Sequence, residues 1–351
     1  PARPGDADSV FAVDAAMRAH VRQALPMHVR SADRPLALAE SLERGRGLAL
    51  SYDASTTRNA SQAFAARAGN CLSLVVMTAA LAREAGLEVS FQQAQGNVLV
   101  TRADDFILRS GHVNVVLGPR LPRQGAHNIA AQMDSGRLQI DFLPQDELQG
   151  LRMVPIGEER VLAMFANNRA VEALVAQRLT EAYAWVREAI RHDAAYWPAY
   201  NTLGVVYHRA GHLSAATASF ERTLDHEPRN LAAIGNFALV LKAQGRLVEA
   251  AQWDARRLAL EPFAPGHFLQ QGLVALGRGD ADAASQHFNR EVREHGPSPD
   301  VWLGLARVHL LRGELPQAEK ALGQAVDASA SPVERVRYAT KLDALRAAGM
   351  P

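Results

Sequence analysis

The stretch Arg67-Ala-Gly-Asn-Cys71-Leu-Ser-Leu-Val-Val-Met-Thr-Ala-Ala-Leu-Ala-Arg-Glu-Ala-Gly86 holds the only cysteine in 351 residues. From Leu72 to Glu84 it is apolar nearly all round, which predicts a buried helix, and Gly86 suits its stop. Asn70 is a good N-cap, so Cys71 becomes the first helical residue. A thiol there meets unpaired backbone N–H groups and the positive end of the helix dipole. Both favour the thiolate, which is the nucleophilic form. A free cysteine is also commonly packed as a small hydrophobe, so position alone does not decide its role.

Upstream, Val10, Val13, Met17, Val21 and Leu25 have helical spacing, and Arg34 to Gly47 gives a second helical candidate. Ser51 to Thr57 reads as a turn, with Thr57 placed to cap a short helix through Phe64. Downstream the character changes. Glu88–Ala94, Asn97–Thr101, Phe106–Arg109, His112–Leu117 and Leu138–Leu143 read as strands, with a turn at Arg102–Asp105. Gly118 to Gly136 has no period and reads as a loop. Helices followed by a run of strands predict an α+β domain over residues 1–157.

A cysteine nucleophile needs a base to take its proton and an acid to hold that base in the right tautomer. In this region the histidines are His20, His28, His112 and His127. His112 opens a strand, whereas His127 sits in the irregular loop and reads as a solvated residue. Asp141, within Leu-Gln-Ile-Asp-Phe-Leu, is out of place in a strand unless it has a partner. Antiparallel pairing of the strands flanking the loop would set His112 beside Asp141, with Asp134 and Asp146 as reserve candidates.

Gly69-Asn-Cys71 opening an apolar helix, then His112, then Asp141, resembles the transglutaminase-like thiol superfamily over roughly residues 50–145. The resemblance implies a papain/transglutaminase-like α+β fold with Cys71 as nucleophile, His112 as general base and Asp141 as orienting acid. It implies a thiol acyl-transfer enzyme that needs no cofactor, most simply a cysteine peptidase or amidase. Leu72 stands where the animal crosslinking enzymes have an aromatic residue, so amine incorporation is an alternative rather than the first expectation.

Beyond about Gly157 a repeat takes over. Gly211, Gly245, Gly279 and Gly313 lie 34 residues apart, with Ala216, Ala250, Ala284 and Ala318 at the matching phase. Leu203, Gly204, Tyr207, Gly211, Ala216, Phe220 and Pro228 make the best-formed repeat. This pattern resembles the tetratricopeptide repeat. The implied architecture is an all-α solenoid over 158–330, with repeats near 163–196, 197–230, 231–264, 265–298 and 299–330. A capping helix follows over 331–351. In the first, degenerate repeat Gln177 stands at the turn glycine. The fusion resembles a group of bacterial proteins, and a catalytically inactive adaptor is the alternative to the enzyme.

In phase, the inward positions include Asn201, Val205, His208 and Arg209, then Leu239 and Lys242. Leu269, Leu273 and Leu276 follow, then Leu303, Arg307 and Leu310. Asn201, His208, Arg209, Lys242 and Arg307 are therefore the expected partner-binding residues. They suit an extended protein or peptide partner with an apolar stretch and at least one acidic group. His208 and His212 are spaced for a shared metal but fall at solvated repeat positions, so no metal is expected.

Composition narrows the classes further. Hydrophobic residues are 48% and charged residues 21%, and the formal charge is +1, so no global field argues for nucleic acid. No apolar run reaches the length of a membrane span. CxxC, HExxH and glycine-rich phosphate motifs are absent from the sequence. One cysteine forms no intramolecular disulfide, and the chain begins with Pro1 rather than Met. With the resemblance, that leans toward a periplasmic or otherwise exported location, the cytoplasm being the alternative.

Overall fold

The computed structural model describes residues 9–26, 28–42, 47–53, 56–103, 106–118, 137–142, 152–263, 266–329 and 332–348. Packing divides the chain into two compact units, Pro1–Leu260 and Glu261–Pro351.

The first unit is built around one helix. Helices α1 (Ala15–Ala24), α2 (Arg34–Leu42) and α3 (Ala60–Ala66) precede α4 (Cys71–Glu84), in which every residue from Cys71 to Ala82 is buried. Six of those residues are Leu, Val or Met, each worth about 1.5–3 kcal/mol when fully buried. Its two hydroxyls are reconciled with burial locally: Thr78 donates to the Leu74 carbonyl at 2.8 Å and Ser73 to the Asn70 side chain at 2.8 Å. A guanidinium nitrogen of Arg34 reaches the carbonyl of Ala85 at the C-terminal end. A short parallel pair, β1 (Ser51–Tyr52) with β2 (Ala68–Gly69), anchors the chain just before Cys71.

Helix α4 packs on an antiparallel sheet of order β5-β4-β3-β6, formed by β3 (Val89–Ala103), β4 (Phe106–Leu117), β5 (Leu138–Ile140) and β6 (Arg152–Ile156). Three details differ from the sequence expectation. The strands expected at 88–94 and 97–101 are one strand, β3, with a register shift between Gln93 and Val98. Those expected at 106–109 and 112–117 likewise merge into β4, in which Gly111 pairs with Val98 and His112 lies opposite the register shift of β3. Strand β6 is an addition; its five residues include Pro155 and lack the alternation that marks a strand in sequence. The helix before the cysteine is capped by Asn59 through a reciprocal bond with Gln62, and not by Thr57. The expected loop beyond Gly118, with His127 and Asp134, lies outside the described residues, as do Leu143 and Asp146.

From Glu158 on, the described elements are helical hairpins. The first unit holds α5 (Glu158–Val175) with α6 (Leu179–His192), α7 (Trp197–Arg209) with α8 (Leu213–His226), and α9 (Leu231–Ala243) with α10 (Leu247–Leu260). The second holds α11 (His267–Gly277) with α12 (Ala281–His295), α13 (Pro299–Leu311) with α14 (Leu315–Asp327), and α15 (Pro332–Ala348). Each hairpin turns through a left-handed residue. Gly211, Gly245, Gly279 and Gly313 have φ between +74° and +79°, and Gln177 takes the same role at +59°. Within a repeat, helices meet at small positions: a Cβ on Gly204 would stand 2.6 Å from the ring of Phe220.

The boundary at 157 marks where strands give way to helices, but packing runs across it. Strand β4 lies against α7 and α9, α5 packs on β3 and β4, and one hydrophobic core runs from Val10 to Ala250.

A left-handed conformation costs a residue with a Cβ about 1 kcal/mol relative to glycine. Gln177→Gly is therefore expected to stabilise the protein by about 0.5–1 kcal/mol, read as a higher midpoint in urea unfolding. A lower midpoint would mean that the Gln177 side chain contributes more than its backbone costs.

Candidate active site

Cys71 stands at the first position of α4 because Asn70 ends the extended segment and caps the helix. The Asn70 side-chain oxygen accepts from the Ser73 main-chain N–H at 2.9 Å and from the Ser73 hydroxyl. Its amide nitrogen donates to the Thr57 hydroxyl at 2.9 Å, which settles which way the amide faces. The Ser73 hydroxyl in turn accepts from the main-chain N–H of Arg58 at 2.8 Å. A side chain on Gly69 would collide with Ser73, so the approach to Cys71 is tight.

Strand β4 brings His112 to this helix, and the β4–β5 pairing sets Asp141 beside it, one residue beyond the end of β5. The strand expected to contain Asp141 thus stops at Ile140, which frees the carboxylate for the imidazole. His112 Nε2 is 2.9 Å from each Asp141 oxygen, and Asn114 Nδ2 donates to the same carboxylate at 3.2 Å. Asn114 was missed in the sequence; its place two residues beyond His112 on one strand, hence on the same face, was the available signal.

His112, Cys71 and Asn114 are all buried. Burial alone would pull the imidazole pKa down. The hydrogen bond to Asp141, the interaction with the Cys71 thiol, and the charges of both outweigh it, lifting His112 from 6.5 to about 9. The thiol is close enough to exert this effect, yet Nδ1 has no partner of good hydrogen-bond geometry among the described residues. A loose thiol–imidazole contact of this kind is common before a substrate tightens it.

A cleft of about 1140 Å³ is lined by residues including Gln93, Gly111, Ile156, Arg160, Asp193 and Asn230. Successive strand residues face opposite sides, so Gly111 on the cleft and His112 at the thiol belong to opposite faces of β4. Among the described residues no group of three or more His, Cys, Asp or Glu could hold a metal ion. No described helix is long and apolar enough to cross a membrane.

A family model described as "Tetratricopeptide repeat" matches residues 201–265 and 269–332. The carboxyl-terminal region is made of tetratricopeptide repeats. Solved structures give further likenesses. A thermophilic TPR protein of Thermus thermophilus is 19% identical, with TM-score 0.28, covering 51% of this chain and 98% of its own. The Pseudomonas aeruginosa pilF protein is 19% identical, with TM-score 0.30, covering 54% of this chain and 87% of its own. YrrB, a TPR protein with an unusual peptide-binding site, is 19% identical, with TM-score 0.28, covering 52% of this chain and 94% of its own. No curated protein matches the chain.

The tetratricopeptide positions expected to bind a partner have distinct fates. Asn201 is buried and accepts from Asn236 Nδ2 at 3.0 Å. Arg209 donates to the Leu174 carbonyl at 2.7 Å. His208 packs its ring 4.8 Å from that of Phe106, at the start of β4, and burial followed by the charge of Arg209 pulls its pKa down. These three serve the interior of the first unit. Lys242 is half exposed and pairs with Asp254 at 2.8 Å. Arg307, in the second unit, is exposed on α13.

Both Asp141 and Cys71 raise the His112 pKa, whereas burial lowers it. The imidazole is expected to titrate near 9 by histidine-labelled NMR, and its midpoint to fall in Asp141→Asn and in Cys71→Ala. A wild-type midpoint near 6.5 that neither substitution moves would separate the three groups.

Proposed function

We propose that the first unit is a thiol acyl-transfer enzyme of the transglutaminase-like type, most simply a cysteine peptidase or amidase. Cys71 is the nucleophile, His112 its acid–base partner, and Asp141 the group that orients the imidazole. The supporting observation is the convergence of a buried thiol and imidazole with the Asp141 carboxylate from three separate stretches of the chain, the last pair 2.9 Å apart. Purely structural cysteines do not need such company.

The chemistry follows from the placement. The Cys71 thiol passes its proton to His112 as sulfur attacks an amide carbonyl carbon, and the resulting oxyanion develops beside the Cys71 main-chain N–H, a donor in the helix's first turn that has no intrahelical partner. Collapse breaks the C–N bond, the departing amine takes the imidazole proton, and a thioester remains. Water then attacks the thioester, giving a proton to the neutral imidazole and releasing sulfur with a carboxylic acid. An amine in place of water would give transamidation by the same residues.

A second reading is supported by the tetratricopeptide match. Repeats of this type are protein-interaction modules, and a protein or peptide partner fits them. In that reading the thiol domain is inert and the repeats act as an adaptor. The second unit, where Arg307 and Leu310 are exposed on α13, offers such a surface, whereas in the first unit Asn201 and Arg209 are engaged by Asn236 and Leu174.

A thiol-reactive vinyl sulfone probe distinguishes the two. It is expected to label Cys71 in the full chain, and His112→Ala should slow labelling at least tenfold while leaving the unfolding midpoint near that of the wild type. Equal labelling with and without the imidazole would leave the adaptor reading.

A further inference from the structure

Helix α5 belongs to the repeat region by sequence, yet two of its side chains grip the segment that leads to the cysteine. Glu172 accepts from the Thr57 main-chain N–H at 2.5 Å, and Arg169 Nη1 lies 3.4 Å from the Thr57 carbonyl oxygen. Arg169 also pairs with Glu172 at 2.8 Å, and its guanidinium lies over the ring of Trp185 on α6. Both main-chain groups of Thr57 are thus held from one helix. Its hydroxyl remains, and that hydroxyl is the acceptor for Asn70 Nδ2.

The chain of contacts is continuous: Glu172 to the Thr57 backbone, the Thr57 hydroxyl to the Asn70 amide, and the Asn70 carbonyl oxygen to Ser73 at the start of α4. Burial raises the pKa of the Glu172 carboxyl, against the Thr57 contacts and Arg169, which lower it. A carboxylate held at that cost has a task, and here the groups it organises lie one residue from Cys71. Without the Thr57 acceptor the buried Asn70 amide would lose its partner, and the cap that fixes the start of α4 beside Cys71 would lose its anchor.

We propose that Glu172 and Arg169, on the first helix of the repeat region, are positioning residues for Cys71, acting through Thr57 and Asn70. The proposal rests on the acyl-transfer reading for its consequence in chemistry, and on the hydrogen-bond chain alone for its structural content. It makes the first hairpin a structural part of the thiol site rather than only a docking module.

The experiment uses the full chain and four variants: Glu172→Ala, Glu172→Gln, Thr57→Val and Thr57→Ser. Two readouts are followed, the vinyl sulfone labelling rate of Cys71 and the side-chain amide resonances of Asn70 in NMR. Glu172→Ala and Thr57→Val are each expected to slow labelling about tenfold, in line with the sensitivity of reactions to small misplacements. Thr57→Ser, which keeps the hydroxyl, should stay within about twofold of wild type, and Glu172→Gln, which keeps an acceptor oxygen, should fall between. Combining Glu172→Ala with Thr57→Val should cost no more than either alone, because both break one chain. The Asn70 amide resonances should move in Glu172→Ala and stay in place in Thr57→Ser.

Wild-type labelling in Thr57→Val, or Asn70 resonances unmoved by Glu172→Ala, would overturn the proposal. A loss in Thr57→Ser equal to that in Thr57→Val would reduce it to general destabilisation and overturn it too. If wild-type Cys71 labels no faster than in His112→Ala, the acyl-transfer reading falls separately, and the Asn70 resonances still decide the relay.

Discussion

The first unit depends on burying a helix N-terminus. Such an end carries N–H groups with no intrahelical partner, and sinking them into an apolar core costs about 1–3 kcal/mol for each that stays unmet. Here Asn70 meets the Ser73 N–H, Ser73 fills the other lone-pair direction of the same oxygen, and Thr57 holds the Asn70 amide. Only with that small polar cluster in place can α4 run buried from Cys71 to Ala82. The sheet then closes over one side of α4, and α5 reaches the cluster through Thr57. The same polar arrangement that makes the burial tolerable also sets the direction of the Cys71 amide, so stability and any chemistry at this cysteine share one cause.

Strand β4 ties the two halves of the unit together. One of its residues, His112, faces the thiol and Asp141, while Phe106 at its start packs on His208 of α7. The first helices of tetratricopeptide hairpins ordinarily offer a face to a partner; in this unit α7 and α9 meet β4. That accounts for the otherwise odd mixture of Asn201, His208 and Arg209 along α7. Asn201 is buried against Asn236, while the half-buried Arg209 and His208 engage Leu174 and Phe106.

The sequence made some of this legible and hid the rest for identifiable reasons. Period and residue type located the helical hairpins, since the turn glycines recur every 34 residues and each adopts the positive φ that favours glycine. Gln177 was found in phase and shares their conformation. The helix start at Cys71 was readable because capping is local chemistry, and so was the proximity of His112 to Asp141, once β4 and β5 were taken as antiparallel neighbours. What could not be read was anything set by contacts distant in sequence. Phase alone assigns His208 and Arg209 to an inward face, but it cannot say that a strand about a hundred residues earlier covers that face. Likewise Thr57 looks like a cap in isolation; Asn59 caps the helix, and Thr57 is drawn instead to Asn70 and to Glu172, 115 residues away.

The charge state of His112 bears on the order of events in the acyl-transfer reading. Two effects compete. Desolvation favours the neutral ring, whereas the Asp141 carboxylate and the thiol favour the cation, and the cation wins, with a pKa of about 9. A ring that binds its proton this firmly is well placed to take the proton of the Cys71 thiol and hold it for a departing amine. In the acyl-transfer reading it hands that proton to the departing amine and acts as a base again when water enters. Asp141 supports both stages without changing partners, because its contact is to Nε2 and Nδ1 makes no hydrogen bond among the described residues. Asn114 Nδ2 gives the same carboxylate a second partner at 3.2 Å.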